Sequence, residues 1–443
     1  MRKTDARFAA YSSLLRCESD RKYSNLEVDS AIGKYKLEGA EKGLYTTLVY
    51  GVLERLLTLD YIIAKLSSRP VSELDAEVRI LLRLGLYQLI WLDRIPERAA
   101  VSESVELAKA VAPRAAAFVN ALLRSFLRTI GRDKLPYPDR SDRIKYLSVR
   151  YSCSEDVIRT LEACAGDAEP LLAAFEVNPT PTLRVNTLKI SRDALLSQLS
   201  DEGVGAQATK YSPFGIKLEK NSIPAKITEL ISAGYVYIQD EASQLALCAA
   251  EPKPGMIVID ACACPGGKSF SAAMLMENQG RVMSFDLHKN KLSLIGRGAE
   301  RLGISIITTA EKNGAEYDAN LCESADLVLC DAPCSGLGVI AKKPELRYKR
   351  REEIERLPEI QYAILSNCAR YVKPGGRLYY TTCTLNRAEN QAVAERFLSE
   401  SAAFEPIRFD AGGIRGEDGM LTLMPQLHGT DGFFISGFKK KYE

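Results

Sequence analysis

The pattern of apolar and polar positions changes character twice along the chain. Near the start, apolar residues recur at helical spacing. Val52, Leu53, Leu56, Leu57 and Leu59 to Ile63 form one stripe, and Val78 to Trp91 a second, punctuated by Gly85. Phe118, Val119, Leu122, Leu123 and Phe126 form another, with Arg124 and Arg128 on the opposite side. A further helix is predicted to begin near Ser102 and to carry Val105, Leu107 and Ala108. Gly131, Pro136 and Pro138 stop this pattern, so residues 1–135 read as an all-α bundle whose stripes are its core.

The stretch 136–238 mixes periods. Thr182 to Leu188 alternates, Ala194 to Leu199 is helical, and Gly203 and Gly205 break it. Ile216 to Leu218 and Tyr235 to Ile238 read as strands, giving a small α+β domain. From 239 to 443 short β-rich runs alternate with helices. The runs are Met256 to Ala261, Val282 to Phe285, Ile304 to Ile307, Leu327 to Cys330 and Leu378 to Thr381. Phe270 to Met276 and Ile354 to Tyr371 are among the helical segments between them. This alternation predicts an α/β domain with a mostly parallel sheet covered on both faces. Ligands of such sheets bind beyond the carboxyl ends of the strands, which is where chemistry is sought.

Composition adds class and compartment. The 443 residues are 46% hydrophobic and 26% charged, as in a globular protein of several domains. The net charge of +2 neither demands nor excludes a nucleic-acid partner, but the distribution is uneven. Arg114 to Arg150 holds nine Lys or Arg against three Asp, and Lys342 to Arg351 holds six basic residues, Glu345 and Tyr348. Such clusters attract phosphate backbones, and are also common as solvated faces. Eleven cysteines spread over a long chain argue against a disulfide framework and for a reducing compartment. Met1 to Ala10 is charged without an apolar core, so no signal peptide is expected. The longest apolar candidate, Leu81 to Leu92, is broken by Arg83 and Gln88, so no membrane span is expected either. A cytoplasmic protein is the expectation.

The strand ends carry the candidate chemistry. The first runs into Asp260-Ala-Cys-Ala-Cys-Pro-Gly-Gly-Lys268 and then a helix, whose free N–H groups and glycines suit a closely held ligand. A dinucleotide site would need G-x-G-x-x-G, which is absent. A phosphate loop would need a Gly where Cys262 stands, and Pro265 removes a donor; Gly267-Lys268-Ser269 and Asp331 nevertheless keep an NTPase reading open. The remaining reading is the nucleoside site of a methyltransferase, in which Asp286 at the second strand end would accept from ribose hydroxyls. The fourth strand runs into Asp331-Ala-Pro-Cys334-Ser-Gly336 and the fifth into Thr381-Thr-Cys383-Thr-Leu385. Cys322, Cys330 and Cys368 read as buried structural thiols. A metal site from Cys262, Cys264, Cys330 and Cys334 lacks the usual spacing and a nearby His pair.

At these motifs the chain closely resembles the bacterial Sun/Fmu (RsmB-type) rRNA cytosine-C5 methyltransferases, over essentially its whole length. Leu84-Gly-Leu-Tyr-Gln-Leu89, Asp93-Arg-Ile-Pro96, Val101, Glu103, Val105 and Phe118-Val-Asn-Ala-Leu-Leu-Arg124 look like their NusB-like RNA-binding domain. Leu183-Arg-Val-Asn-Thr-Leu188 and Tyr237 to Leu245 are similar to the segments that lead into the catalytic domain. The catalytic matches are the Cys262 to Lys268 loop, Asp286, Asp331 to Gly336, Pro374-Gly-Gly376, Thr381 to Leu385 and Gly429 to Phe434. Two positions depart from the family: Cys264 in the loop, where alanine is usual, and Thr308-Thr-Ala-Glu-Lys-Asn313, where Glu311 stands in for the usual Asp.

The resemblance implies a multidomain architecture: a NusB-like bundle, a small α+β RNA-binding domain and a Rossmann-like class I methyltransferase domain. It implies S-adenosylmethionine as cofactor, held by Cys262, Ala263, Cys264, Pro265, Gly266, Gly267, Lys268, Asp286, Glu311 and Asp331. It assigns Cys383 as the nucleophile toward carbon 6 of a cytosine, Cys334 to release, and Asp331 to the base at N3 and the exocyclic amine. Small-subunit rRNA is the implied substrate, taken by a monomer that needs no protein partner. Neither His288 nor His428 lies beside a catalytic Cys in sequence, so a Cys–His dyad is not indicated; Lys268 is one candidate to activate the thiol.

Overall fold

The computed structural model describes residues 5–20, 24–177 and 179–442; the first four residues of the charged N-terminal stretch lie outside them. The chain divides into two compact units, Met1–Glu162 with Lys342–Arg350, and Ala163–Ala341 with Arg351–Glu443.

The first unit is a helical bundle. Its central helix, Ala76–Trp91, is buried on nearly every side from Val78 to Ile90, which is why its sequence is apolar all round. Within it Arg83 lies against the carboxylates of Glu18 and Asp60, so its charge is paired. The helix Ala116–Thr129 packs close to it: a side chain at Gly85 would collide with Leu123. The apolar stripe from Val52 to Ile63 is two helices, Gly39–Glu54 and Leu56–Leu66, parted at Arg55. The helix expected near Ser102 starts earlier, at Glu97, behind Pro96.

The two basic clusters fare differently. Arg114, Arg124, Arg128, Arg132, Lys134, Arg140, Arg143 and Lys145 all face solvent. In the second cluster Arg347 is only 3% exposed and donates to the Tyr151 carbonyl at 2.9 Å. The Tyr348 hydroxyl meets Ser152 Oγ at 2.9 Å and accepts from Leu56 N–H at 3.2 Å. These two residues fasten the segment into the bundle and offer nothing to a phosphate, whereas Lys342, Lys343 and Arg350 remain exposed.

The second unit contains two sheets. The smaller consists of β1 (Thr182–Val185), β2 (Ala206–Ala208), β3 (Gly215–Leu218) and β4 (Val236–Ile238), antiparallel in the order β2-β3-β1-β4. Leu195, Leu199, Ile227 and Leu230 from two helices share its core.

The larger sheet has eight strands: β5 (Ile257–Asp260), β6 (Arg281–Asp286), β7 (Ile307–Glu311), β8 (Ala325–Asp331), β9 (Val372–Thr382), β10 (Phe404–Pro406), β13 (Met420–Leu423) and β14 (Phe433–Lys440). Strands β11 (Phe409–Ala411) and β12 (Ile414–Gly416) pair separately. The order is β10-β14-β9-β8-β5-β6-β7, with β13 also on β14. Neighbours from β7 to β9 are parallel, and β14 adds antiparallel to β9. The order reverses between β5 and β8, so the crevice beyond Asp260 and Asp331 is the ligand position this topology favours.

Strand β7 lies elsewhere than the sequence predicts, and β10 to β14 are not among the predicted elements. Ile304 is not in a strand; its N–H closes onto Ala299 O behind Gly303, whose φ is +74°, and its buried side chain seals the helix end. The strand begins at Ile307 and is an exposed edge, so its Thr-Thr-Ala-Glu sequence needs no apolar alternation. Strand β14 is an addition to the predicted elements, with Phe433, Phe434, Ile435 and Phe438 all buried in it.

Candidate active site

The loop after β5 turns sharply at Gly266, whose φ of +112° suits glycine, and a side chain there would collide with the Phe270 ring. The helix Gly267–Leu275 then begins with its N–H groups facing the crevice end of the sheet. Strand β4 braces this start: the Tyr237 hydroxyl donates to Gly267 O at 3.1 Å and meets Ser271 Oγ at 2.7 Å. Asp286 braces the loop from β6, accepting from Cys264 N–H at 3.2 Å and from His288 N–H at 3.0 Å. Glu311 is exposed at the end of β7, in register beside Asp286. The loop, Asp286 and Glu311 therefore lie at adjacent strand ends.

Asp260 ends β5 with its carboxyl buried. Ser269 Oγ donates to its Oδ2 at 2.6 Å, while Oδ1 has no partner within the protein. Burial raises its pKa from 3.8 to about 6. An unfolded chain ionises this group near 3.8 and the folded one near 6, so its contribution to stability declines as pH rises from about 4 to about 6. That difference corresponds to about 3 kcal/mol. Asp260→Asn is expected to remove that decline, which chemical denaturation of both proteins at pH 4 and pH 7 would show as a gap opening in favour of the variant.

Cys264, the departure in the loop, is pushed up to about 12 by burial and by the adjacent Asp286 carboxylate. It is a neutral packing group at ordinary pH. Burial likewise holds the Cys262 thiol well above its usual range. Of the four cysteines considered for a metal, two are engaged elsewhere: Cys330 pairs with Cys368, and Cys334 with Cys383.

Across the crevice, Asp331 ends β8 held at both oxygens. Lys268 Nζ lies 2.6 Å from Oδ2, and Thr381 Oγ1 donates to Oδ1 at 2.7 Å. Lys268, the candidate for thiol activation, thus spends its ammonium on Asp331, beside the Phe433 ring. The loop from β8 and the end of β9 bring Cys334 and Cys383 together, with Sγ to Sγ at 3.2 Å. The Cys383 thiol, burial and the Glu389 carboxylate hold Cys334 well above the ordinary thiol range, so it keeps its proton. The segment from Gly429 to Phe434 closes over this loop: Gly432 N–H donates to Gly338 O at 2.9 Å, and a side chain at Gly338 would strike the Gly432 backbone. Gly338 N–H in turn donates to Cys383 O at 3.0 Å.

The candidate catalytic and cofactor residues, 262–268, Asp286, Glu311, Asp331, Cys334 and Cys383, lie at the carboxyl ends of strands of the large sheet or in the loops leaving them, whereas Pro374-Gly-Gly376 lies at the opposite end, where β9 begins. Sequence reasoning misses Glu389, Gln361 and Asn390, which lie buried behind the two cysteines. The sequence around Glu389 and Asn390 is polar and carries no apolar period that would mark them as interior; Gln361 is different, since it shares a helix face with Ile364, Leu365 and Cys368, and that spacing could have found it.

Comparison with known proteins gives this geometry its family. Residues 247–439 match the family described as 16S rRNA methyltransferase RsmB/F, residues 4–128 match the NusB family, and residues 157–224 match the RsmB/F-like ferredoxin-like domain. The chain is 40% identical to a probable ribosomal RNA small subunit methyltransferase B of Bacillus subtilis, over the whole of both chains. The chain belongs to the RsmB/F methyltransferase family. A probable methyltransferase B of Synechocystis is 35% identical over 94% of this chain and 95% of its own. Among solved structures, PH0851 superposes with a TM-score of 0.83 at 26% identity, covering 99% of each chain. A methyltransferase homologue from Pyrococcus horikoshii gives 0.60 at 28% identity, over 68% of this chain and 99% of its own.

An RsmB/F methyltransferase uses S-adenosylmethionine, and the residues here fit it. Asp260 Oδ1 is an orphaned buried acceptor beside the loop, the Gly267 helix start offers N–H donors, and Asp286 places at the next strand end a carboxylate of the kind a ribose would donate to. The architecture agrees with expectation: a NusB-like bundle, a ferredoxin-like domain and a mixed-sheet methyltransferase domain. Among the described residues, no helix is long and apolar enough to cross a membrane.

Proposed function

We propose that this methyltransferase modifies carbon 5 of a cytidine in 16S rRNA, through a covalent bond between Cys383 and carbon 6. The observation that carries the proposal is the pair of thiols 3.2 Å apart beside a carboxylate held by Lys268 and Thr381. RNA methylation at a nitrogen or an oxygen needs no thiol pair. Carbon 5 of cytosine is a poor nucleophile, and adding a thiolate at carbon 6 makes it enamine-like. S-adenosylmethionine, which the 262–268 loop, Asp286 and Glu311 would hold, would supply an electrophilic methyl group.

The chain's own residues divide the remaining work. Asp331, as carboxylic acid at N3 or as acceptor from the exocyclic amine, stabilises the charge that develops in the ring. After methylation the carbon-5 proton must leave so that the double bond re-forms and the C6–S bond breaks. Cys334 relays that proton: its thiol gives a proton to the departing Cys383 sulfur and takes the one from carbon 5. A thiol that retains its own proton suits the first half of this exchange. The exposed basic residues between Arg114 and Lys145 contact RNA phosphates, and the target base must be unstacked for both faces of carbon 5 and carbon 6 to be reached. The domains proposed are residues 1–135, 136–238 and 239–443; the protein is proposed to act in the cytoplasm as a monomer.

The test is nucleoside analysis after incubating the enzyme with unmodified small-subunit rRNA and methyl-labelled S-adenosylmethionine. Label in 5-methylcytidine is expected. Label in any other nucleoside overturns the assignment.

A further inference from the structure

Behind the two cysteines lies a polar cluster sealed from solvent. Glu389 is fully buried, and three N–H donors converge on its carboxylate. Ser335 N–H reaches Oε2 at 2.8 Å, Gln361 Nε2 reaches the same oxygen at 2.9 Å, and Asn386 Nδ2 reaches Oε1 at 3.0 Å. Gln361 Nε2 also donates to Pro333 O at 2.9 Å. The residues on either side of Cys334 are therefore both gripped, one by Gln361 and the other by Glu389.

The same cluster holds the backbone around Cys383. Asn390 Nδ2 donates to Thr384 O at 2.9 Å, and Thr382 Oγ1 donates to Asn390 Oδ1 at 2.5 Å. Ser335 Oγ and Thr384 Oγ1 join the two loops directly at 2.6 Å. A buried carboxylate is costly unless donors compensate it; here one donor is the Ser335 N–H beside Cys334, and a second, Gln361 Nε2, also holds Pro333 O on the other side of that cysteine. A merely structural site could be filled by apolar side chains at less cost.

We propose that Glu389 is a positioning residue for release, fixing the Cys334 thiol against Cys383 through Ser335 N–H and Gln361. It touches neither base nor cofactor and acts only through Cys334. The inference rests on the release role proposed for Cys334. The titratable groups near that thiol are Cys383, Glu389 and Tyr380, whose hydroxyl donates to Glu389 O at 2.5 Å. With its charge so close, Glu389 also helps Cys334 keep the proton that the relay gives to the departing sulfur.

The test compares Glu389→Gln, Cys334→Ala and the double variant in the full-length protein, by following the covalent protein–RNA adduct on denaturing gels. Glu389→Gln is expected to form adduct at the wild-type rate but to release it about tenfold more slowly, with the KM for RNA little changed. In the Cys334→Ala background it should add nothing. An adduct lifetime within twofold of wild type, or an equal slowing without Cys334, overturns the proposal. A second readout does not depend on the release reading: alkylation of Cys334 in a Cys383→Ala background. Removing the neighbouring charge should speed that labelling roughly three- to tenfold at a fixed pH, while Cys330 and Cys368 stay protected. An unchanged rate rejects the role of Glu389. If Cys334→Ala leaves no persistent adduct while the labelling responds, the release reading fails and the Glu389 contact stands. If Glu389→Gln exposes Cys330 and Cys368, Gln361→Met, which removes the grip on Pro333, replaces it: slower release supports the proposal, and wild-type release contradicts it.

Discussion

Cys383→Ala abolishes methyl transfer and forms no covalent adduct with RNA, while Cys334→Ala forms the adduct and retains it. The first loss is expected to be on the order of 10⁴-fold or more, as when the nucleophile of another covalent enzyme is removed. The 3.2 Å approach of the two sulfurs makes the contrast specific, since each variant removes one partner from the same contact. Neither change should alter the fold, because both thiols are only partly buried and alanine leaves a small void. A denaturing gel with labelled RNA distinguishes the outcomes. Equal adduct in both variants would reverse or dissolve the two roles.

Asp331→Ala is expected to lower kcat by about 10²- to 10³-fold, the cost of losing one group that stabilises developing charge. Its effect on stability should be smaller but measurable. Lys268, 11% exposed, would lose the carboxylate 2.6 Å from its ammonium, and the Thr381 hydroxyl would lose its acceptor. A loss of about 1–3 kcal/mol follows from leaving those groups unpaired. Kinetics with RNA and S-adenosylmethionine varied separately, together with a denaturation curve, check both parts. A kcat within a few-fold of wild type would show that Asp331 acts on Lys268 alone and not on the base.

Much of this site is legible in the amino-acid sequence, for a physical reason. Strand ends in a parallel sheet are short, and the residues needed there cannot be spread out. Asp331, Cys334 and Cys383 therefore stand in compact motifs directly after apolar runs. The helical bundle is legible because its stripes are long, as with the wholly buried Ala76–Trp91 helix. Strand β7 is harder to place because the first isoleucine of its apolar run, Ile304, serves the helix before it. Arg347 and Tyr348 read as part of a basic, RNA-facing cluster, yet their side chains fasten a returning segment to the bundle. Glu389 is hidden for a similar reason: in Asn386-Arg-Ala-Glu-Asn390 a buried carboxylate and a solvated one look alike. What separates them is the convergence of Ser335, Gln361 and Asn386, two of which lie far away in the chain.

The most direct test of the account is to trap the adduct of Cys334→Ala with small-subunit rRNA, digest protein and RNA, and find the nucleotide remnant by mass spectrometry. The account predicts a methylated cytidine remnant on the peptide that contains Cys383. A remnant on any other residue, or none while 5-methylcytidine still accumulates, would contradict it.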